Sequence, residues 1–195
     1  MAFPERAETD RLVLRRPRPD DREAWLGIWA DPAVWRALRP DLGPDREHAL
    51  GRFEHHLDHW ERHGFGLWLA EESVAGEIAG WCGPAHPLFV PQLADEVEVG
   101  WTLRRPFWGR GLAFEAATTA VSTAFSHLDV ERLIALIDAT NERSRRVAAR
   151  LGMRQVETVQ HPEALVEVGV YALSGAAGDA PADARGGARG RSGPR

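Results

Sequence analysis

The chain has 195 residues, 24 basic and 29 acidic side chains and a formal net charge of −5, which suits one globular domain and argues against nucleic acid as the main partner. All of the basic residues are arginine, and the absence of lysine excludes Schiff-base enzymes and P-loop nucleotide-binding proteins. Cys82 is the only cysteine, so no intramolecular disulfide can form and a reducing cytoplasmic location is expected.

The spacing of apolar residues predicts strands and helices in the order β-α-α-β-β-β-α-β-α-β-β. A strand at 12–14 is followed by helical spacing from Asp20, with a short successor after Pro32, and by a longer amphipathic helix that opens at Pro44 and Asp45. The pattern then predicts an antiparallel hairpin and four more strands separated by two helices: strands at 65–71, 74–81, 97–103, 132–138, 155–160 and 166–173, and helices at 109–127 and 141–151.

The segment from 175 to 195 is rich in glycine, alanine and arginine and lacks large apolar side chains. Such a composition cannot bury enough apolar surface to fold. We therefore expect a folded domain over 1–174 and a disordered tail over 175–195. No apolar run is long enough for a signal peptide or a membrane span, so no membrane partner is expected.

The most informative segment is a strand that runs into a Gly-x-Gly turn, at Gly109 and Gly111, and then directly into a helix. The two glycines allow backbone N–H groups of the turn to converge without obstruction by Cβ atoms, and the helix dipole adds positive potential. The turn can therefore bind a pyrophosphate without lysine, although a plain strand-to-helix connection has the same pattern. Further charge is available from Arg104, Arg105 and Arg110.

The only asparagine of the chain, Asn141, follows the predicted strand at 132–138 and begins the next helix. Asparagine is a preferred N-cap. A structural role as a cap and a binding role are compatible only if its side-chain amide also reaches a ligand.

Together these segments resemble the GNAT superfamily of acetyl-CoA-dependent N-acetyltransferases, in particular its Rim-type branch, which is named for enzymes that acetylate ribosomal-protein N-termini. The matching stretches occur in the order found in that branch: 9–15, 97–101, 108–116 and 141–153. The resemblance implies an α/β (α+β) fold with a mixed, mostly antiparallel seven-stranded sheet. The sheet would be splayed between its fourth and fifth strands and flanked by about four helices.

The resemblance also implies that acetyl-CoA is the co-substrate and that the acceptor is an amine, either a protein N-terminus or a small molecule. The pantetheine would enter the opening in the sheet and the amine would enter from the other side. No metal and no specific nucleic acid are implied, and a monomer or a homodimer is expected. The family's cofactor contacts fall on Val99, Gly100, Trp101, Trp108, Gly109, Arg110, Gly111, Leu112, Ala113, Asn141 and Ser144.

Two positions depart from the family pattern. Pro106 occupies a position where the wider superfamily has a side-chain donor, and Ala148 occupies the position of the tyrosine that many members use as general acid. Tyr171 is the only tyrosine of the chain. The general acid therefore stays open, and a catalytically silent acyl-CoA-binding protein is one alternative. An acetyltransferase for small-molecule or antibiotic amines is the other.

A primary amine must lose a proton before it attacks the thioester. Glu98 is the first candidate for the base, because strand alternation places it opposite Val97 and Val99. Glu96 has the same parity along the strand and is the alternative base. Glu98 could equally have a structural role, as a solvated residue or as the partner of an arginine. Ser144 is the polar side chain that the resemblance places nearest to the leaving thiolate.

The longer predicted helix is rich in histidine, and His55 and His59 have the i,i+4 spacing of metal ligands. Without a His-Glu-x-x-His motif the signal is weak, and we expect these histidines to form a solvated face. In the superfamily that the chain resembles, residues of the first two helices border the acceptor pocket, and His86, in a proline-rich loop, is placed so that it can line the same pocket. The sequence alone predicts neither contact. Cys82 is expected to be a small buried apolar residue rather than a nucleophile.

Overall fold

The computed structural model describes residues 1–38, 45–160 and 167–175. Within these residues, eight strands form one sheet in the order β1-β2-β3-β4-β5-β6-β8-β7, and every neighbouring pair except β5 and β6 is antiparallel. The strands are β1 (Arg6–Glu8), β2 (Leu12–Arg15), β3 (Trp68–Glu72), β4 (Ile78–Ala85), β5 (Glu98–Leu103), β6 (Arg132–Asp138), β7 (Arg154–Gln160) and β8 (Glu167–Ser174).

The mixed, mostly antiparallel sheet confirms the predicted fold class, but the described strands number eight rather than seven. The additional strand is β1, whose three residues have no apolar alternation and which exists only through its pairing with β2. The hairpin turn also lies later than predicted, because Val74 is exposed in the turn instead of starting a strand. The predicted tail lies, apart from Gly175, outside the described residues.

Five α-helices among the described residues cover the two faces of the sheet. The longest, α3, begins after Asp45, whose carboxylate accepts hydrogen bonds from two backbone N–H groups of the first turn, and ends at Gly64, where φ is 70°. Pro44, the predicted start of this helix, lies outside the described residues. The helices are α1 (Arg22–Trp29), α2 (Pro32–Leu38), α3 (Arg46–His63), α4 (Leu112–His127) and α5 (Glu142–Arg150).

Two apolar layers hold these helices on the sheet. On one face, α1 and α3 pack large side chains such as Trp25 and Phe53 against Trp81 of β4. On the other face, an alanine stripe on α4 allows the helix to approach β5 closely, at Val97 and Val99. Residues of β5 therefore alternate between two differently packed layers.

The sheet opens between β5 and β6. The two parallel strands pair at Glu98 and Ile134, where the Ile134 N–H donates to the Val97 carbonyl over 2.9 Å, and the described residues beyond this point form no further ladder. These strands are the fourth and fifth of the predicted sheet, so the predicted splay is confirmed. No helix in the described part of the chain is both long and apolar enough to cross a bilayer.

Candidate active site

Two cavities meet at the opening between β5 and β6. One has a volume of about 170 Å³ and lies on the side of α1 and α3. The other has a volume of about 440 Å³ and lies between α5 and the start of α4. Trp101, Asn141 and Ser144 line both cavities. We call them the acceptor cavity and the loop cavity, respectively.

The loop cavity is built on the predicted Gly-x-Gly turn. Gly109 and Gly111 have φ values of 73° and 79°, a conformation that side chains with a Cβ adopt at a cost. Gly111 is the N-cap of α4, whose first backbone N–H groups have no partner within the helix. The cavity is lined in this region by Trp108, Gly109, Gly111, Leu112 and Ala113. The arrangement has the features of an anion-binding helix N-terminus.

The arginines predicted to add charge to this turn lie elsewhere. Arg110 does not line the loop cavity, because its guanidinium pairs with Glu72 over 2.9 Å, so only its backbone belongs to the turn. Arg104 pairs with Glu77 over 2.8 Å on the outer part of the sheet. The sequence therefore predicted the turn itself, whereas the direction of these side chains depends on acids that are distant in the chain.

Positive charge reaches the loop cavity from α5 instead. Arg143, Arg146 and Arg150 line the cavity, and their three- and four-residue spacing places them on one face of the helix. Arg143 lies over the Trp108 ring at 4.6 Å and Arg150 over the Phe114 ring at 3.8 Å. These arginines were not predicted from the sequence, although their spacing after Asn141 was a usable signal.

Arg11 holds the turn in place. Its guanidinium donates to the Arg110 carbonyl and to Glu115 of α4, each over 2.8 Å. Thr9 donates to the same carboxylate over 2.5 Å. The segment before β2 thus connects the edge of the sheet to the loop cavity. Pro106, which has no side-chain donor, lies in a short 3₁₀ helix whose last residue, Phe107, lines the loop cavity.

Asn141 is the N-cap of α5, because its side-chain oxygen accepts the Ser144 N–H over 3.1 Å. The predicted cap is therefore confirmed. The residue also lines both cavities, so its amide nitrogen is available near the opening. Ser144 lies half-buried at the same junction, one turn into the helix. The structure thus brings together two of the residues that the sequence singled out on this helix.

Glu98 lies on the wall of the acceptor cavity. Its neighbours Val97 and Val99 are buried against α4, so the side chain points to the opposite face, as strand alternation predicted. Burial raises the pKa of the Glu98 carboxyl to about 7, while the Arg52 guanidinium and a hydrogen bond from the Leu136 N–H act in the lowering direction. The group is therefore poised to exchange a proton near neutral pH.

The alternative base, Glu96, lines neither cavity. Its carboxylate forms an ion pair with Arg132, and its carbonyl oxygen lies 2.9 Å from Nδ1 of His86. The same strand parity therefore gives two different environments. Only Glu98 of the two glutamates faces the opening in the sheet.

The structure places no tyrosine at the cavities among the described residues. Ala148 is fully buried. Tyr171 donates a hydrogen bond to Gln155 over 3.2 Å and lines a separate cavity of about 150 Å³. Cys82 is buried without polar partners in the described residues, and burial raises the pKa of its thiol. This confirms the expectation that the cysteine is a small core residue.

Aromatic side chains form part of the wall of the acceptor cavity. Gly100 leaves room for one of them, because a Cβ at this position would lie 3.0 Å from the Trp81 ring. Residues of the first two helices and His86 line the cavity, and the aromatic side chains around it are Trp29, His48, His56, Trp81, His86, Phe89 and Trp101.

The expectation of a solvated histidine face on α3 is wrong for two of its members. His56 and His59 are only 4% and 3% exposed. His56 packs against Trp25 and Trp81, and His59 packs against Phe65. Because burial disfavours the charged ring, it lowers the pKa of both side chains. The helix is covered on two sides, which the single apolar stripe in the sequence did not reveal.

Comparison with known families supports the geometry. The sequence profile of the Acetyltransferase (GNAT) domain matches residues 11–154. The chain belongs to the GNAT acetyltransferase family. It is 36% identical over 159 residues to the uncharacterized protein YkkB of Bacillus subtilis (strain 168), covering 78% of this chain and 87% of that one. As a member of the family it is an acyltransferase whose co-substrate is acetyl-CoA and whose acceptor is an amine.

Two solved structures extend the comparison. The crystal structure of an acetyltransferase from Agrobacterium tumefaciens str. C58 has a TM-score of 0.75 and 28% identity, covering 90% of this GNAT chain and 96% of that chain. The ribosomal L7/L12 α-N-protein acetyltransferase RimL, solved in complex with coenzyme A, has a TM-score of 0.68 and 17% identity, covering 88% and 97%. At this identity the second structure supports the GNAT fold alone.

Proposed function

We propose that this GNAT protein transfers the acetyl group of acetyl-CoA to a primary amine by direct attack within a ternary complex. One observation carries the proposal: at the split between β5 and β6, a cavity built on a Gly-x-Gly turn at a helix N-terminus meets a cavity lined by a half-buried carboxylate. The turn is centred on Gly109 and Gly111, and the carboxylate is that of Glu98. The two substrates would therefore meet at the opening.

The loop cavity suits the cofactor. Backbone N–H groups of 108–113 would bind the pyrophosphate, and the arginines of α5 would add charge for the phosphates. The pantetheine would pass through the opening and pair with the backbone of Val99, Gly100 and Trp101, which lines the acceptor cavity. The amide nitrogen of Asn141 is then a further donor for the pantetheine. These assignments use the residues predicted from the sequence, together with Arg143, Arg146 and Arg150.

The chemistry begins with removal of a proton from the acceptor. At pH 7 an alkyl ammonium group with a pKa near 10 is deprotonated at a cost of roughly 4 kcal/mol. Glu98 would accept this proton, directly or through water. The amine nitrogen then forms a bond to the acetyl carbon, the bond from that carbon to sulfur breaks, and the second proton of the nitrogen passes to the leaving thiolate, which gives the amide and the thiol. A backbone N–H of 99–101 would stabilise the oxyanion, and the Ser144 hydroxyl would donate to the leaving thiolate.

The acceptor cavity favours an amine on a compact group with apolar surface, because Trp29, Trp81 and Phe89 form part of its wall. Such an amine occurs at the N-terminal residue of a protein, as the resemblance to the Rim-type branch suggests, and in small molecules, including antibiotics. We further propose that the protein acts in the cytoplasm as a monomer or homodimer.

An acceptor screen with a thiol-release assay tests the proposal. The full chain is incubated with acetyl-CoA and with either peptides that have Ser or Ala N-termini or a panel of small amines. Release of thiol with one class of acceptor, and formation of the acetylated amine by mass spectrometry, would identify the source. Saturable acetyl-CoA binding without transfer to any amine would instead support the silent acyl-CoA-binding alternative, which the absence of a tyrosine at Ala148 favours.

A further inference from the structure

Three histidine rings from two separate parts of the chain meet beside the acceptor cavity. His59 and His63 lie at the end of α3, and His86 follows β4. Each offers one ring nitrogen, and these three atoms lie within 4.8 Å of one another. The ring centroids are 4.5 Å apart for His59 and His63, 4.9 Å for His63 and His86, and 5.6 Å for His59 and His86.

We propose that this cluster binds one divalent transition-metal ion, with zinc as the chemical prototype, through the imidazoles of His59, His63 and His86. Imidazole nitrogen is a preferred ligand of zinc, nickel and copper ions. Three protein ligands leave one coordination position of a tetrahedral ion for water. The cluster contains no carboxylate, which argues for a transition metal rather than calcium or magnesium.

Two of the rings are already oriented by hydrogen bonds of the kind that supports metal ligands. Nδ1 of His59 lies 2.9 Å from the Phe65 carbonyl, and Nδ1 of His86 lies 2.9 Å from the Glu96 carbonyl. A carbonyl accepts, so each Nδ1 carries the hydrogen and each Nε2 bears a lone pair. Metal-ligating histidines commonly donate their other ring nitrogen in this way. Glu96, whose carbonyl faces His86, is itself held in place by the ion pair of its side chain with Arg132.

The cluster combines fixed and movable ligands. His59 is only 3% exposed and is fixed by packing, whereas His63 is exposed at the last position of α3. Ligand nitrogens around a tetrahedral zinc ion lie about 3.4 Å apart, so the three nitrogens, which lie within 4.8 Å of one another, must approach by up to about 1.4 Å. Rotation of the exposed His63 side chain can bring its ring closer to the other two. Nε2 of His59 now accepts the His86 N–H over 3.1 Å, and coordination would replace this hydrogen bond.

The proposed ion would connect the end of α3 to the segment that joins β4 and β5. His86 lies in that segment and also lines the acceptor cavity. None of the residues assigned to acetyl transfer would coordinate the ion, so the acetyl-transfer chemistry stays free of metal. The proposal departs from the sequence-based expectation that the protein has no metal site, because no sequence motif brings His86 next to α3.

A cobalt titration tests the proposal on the full chain without an affinity tag. Cobalt(II) replaces zinc in nitrogen sites and gives a visible absorption band. We expect the wild-type protein to bind one cobalt ion per chain and to unfold at a higher temperature when the ion is present. His63→Ala and His86→Ala should each weaken the apparent affinity at least tenfold, whereas His127→Ala should not, since that ring lies near Thr123 and Phe3.

Either of two outcomes would contradict the proposed metal site. One is an absence of saturable cobalt binding by the wild-type protein. The other is a loss of cobalt affinity in His127→Ala as large as that in His63→Ala. Because His63 is exposed, its alanine variant should unfold at the wild-type temperature without metal. This variant therefore decides the question even if His86→Ala proves unstable.

Discussion

At the scale of single residues, the environment of a side chain decides what its chemistry can be. Glu96 and Glu98 are two residues apart in the chain, and β5 begins only at Glu98. One carboxylate forms an ion pair with Arg132, and the other faces the acceptor cavity with a pKa raised by burial to about 7. Only the second combines a position on the cavity wall with a pKa that suits proton transfer near neutral pH.

We expect Glu98→Gln to lower the turnover number roughly a hundredfold, because general-base catalysis typically contributes at least this factor. Only the ionised carboxylate accepts a proton, so the wild-type rate should rise with pH through the pKa of Glu98, about 7, and level off above it. The variant should lose this rise and retain its acetyl-CoA affinity. Steady-state pH–rate profiles and a binding titration measure both effects.

Glu96→Gln is the matched comparison, since it makes the same chemical change two residues away. Its carboxylate lines neither cavity, so the pH–rate profile should keep its shape. A flattened profile in Glu96→Gln with an intact profile in Glu98→Gln would assign the base to Glu96 instead.

At the scale of elements, the junction of β5 with α4 and the start of α5 form the loop cavity, where we propose that the cofactor binds. The Gly-x-Gly turn could be predicted because it is local: two glycines between a period-two strand and a helix favour a positive-φ connection whatever surrounds them. The arginines around it could not be assigned in the same way. Arg110 turns to Glu72, which precedes it by 38 residues, and α5 supplies the arginines of the cavity.

We expect Gly111→Val to weaken acetyl-CoA binding more than tenfold. Gly111 has φ of 79°, which a β-branched residue adopts at a cost of at least about 1–2 kcal/mol, so the turn would rearrange and its N–H groups would diverge. Gly64→Val is the control, because φ there is 70° at a position that lines neither cavity. Calorimetric titration measures the acetyl-CoA affinity of each variant, and circular dichroism verifies its fold. Equal affinities of the two variants would contradict the assignment.

The α5 arginines give a second prediction at this scale. Arg143→Gln and Arg150→Gln should each weaken acetyl-CoA binding roughly three- to tenfold, because each removes a charged hydrogen-bond donor from the loop cavity. Arg6→Gln should have no effect, since Arg6 pairs with Glu8 in an exposed position. Binding of coenzyme A and of its 3′-dephospho form should be compared. Unchanged affinity in both α5 variants would refute the assignment.

At the scale of the whole molecule, close contact between β4 and β5 positions both cavities relative to the sheet. Gly80 of β4 lies so near β5 that a Cβ would come within 2.0 Å of the Thr102 carbonyl oxygen and 2.7 Å of Leu103 Cα. These are backbone atoms that cannot move without displacing the strand carrying Glu98. A substitution that separates β4 from β5 would therefore also displace Glu98.

We expect Gly80→Ala to lower the free energy of unfolding by about 2 kcal/mol or more, as overpacking against fixed backbone does. Gly51→Ala is the matched control, because a Cβ at this position on α3 would meet nothing within 4 Å. It should raise the free energy of unfolding by about 0.5–1 kcal/mol, since alanine loses less conformational freedom in a helix than glycine. Urea unfolding curves of the two variants measure the difference. Equal stabilities would contradict the close approach.

The fold class followed from the family resemblance. The sequence by itself determined the Gly-x-Gly turn, the cap at Asn141 and the outward direction of Glu98 from the α4 layer. Each of these depends on residues within one turn or one strand, where periodicity and backbone conformation act locally. The family resemblance added the position of the split in the sheet, which the pairing of Glu98 with Ile134 confirms.

Only the tertiary structure decided which charged and polar side chains meet. The pairing of Arg132 with Glu96, the turn of Arg110 towards Glu72 and the convergence of His86 with His59 and His63 all join segments that are distant in the chain. The direction of a long polar side chain depends on the partners that folding brings within hydrogen-bond distance. The pattern of apolar residues along the chain does not indicate which partners these are.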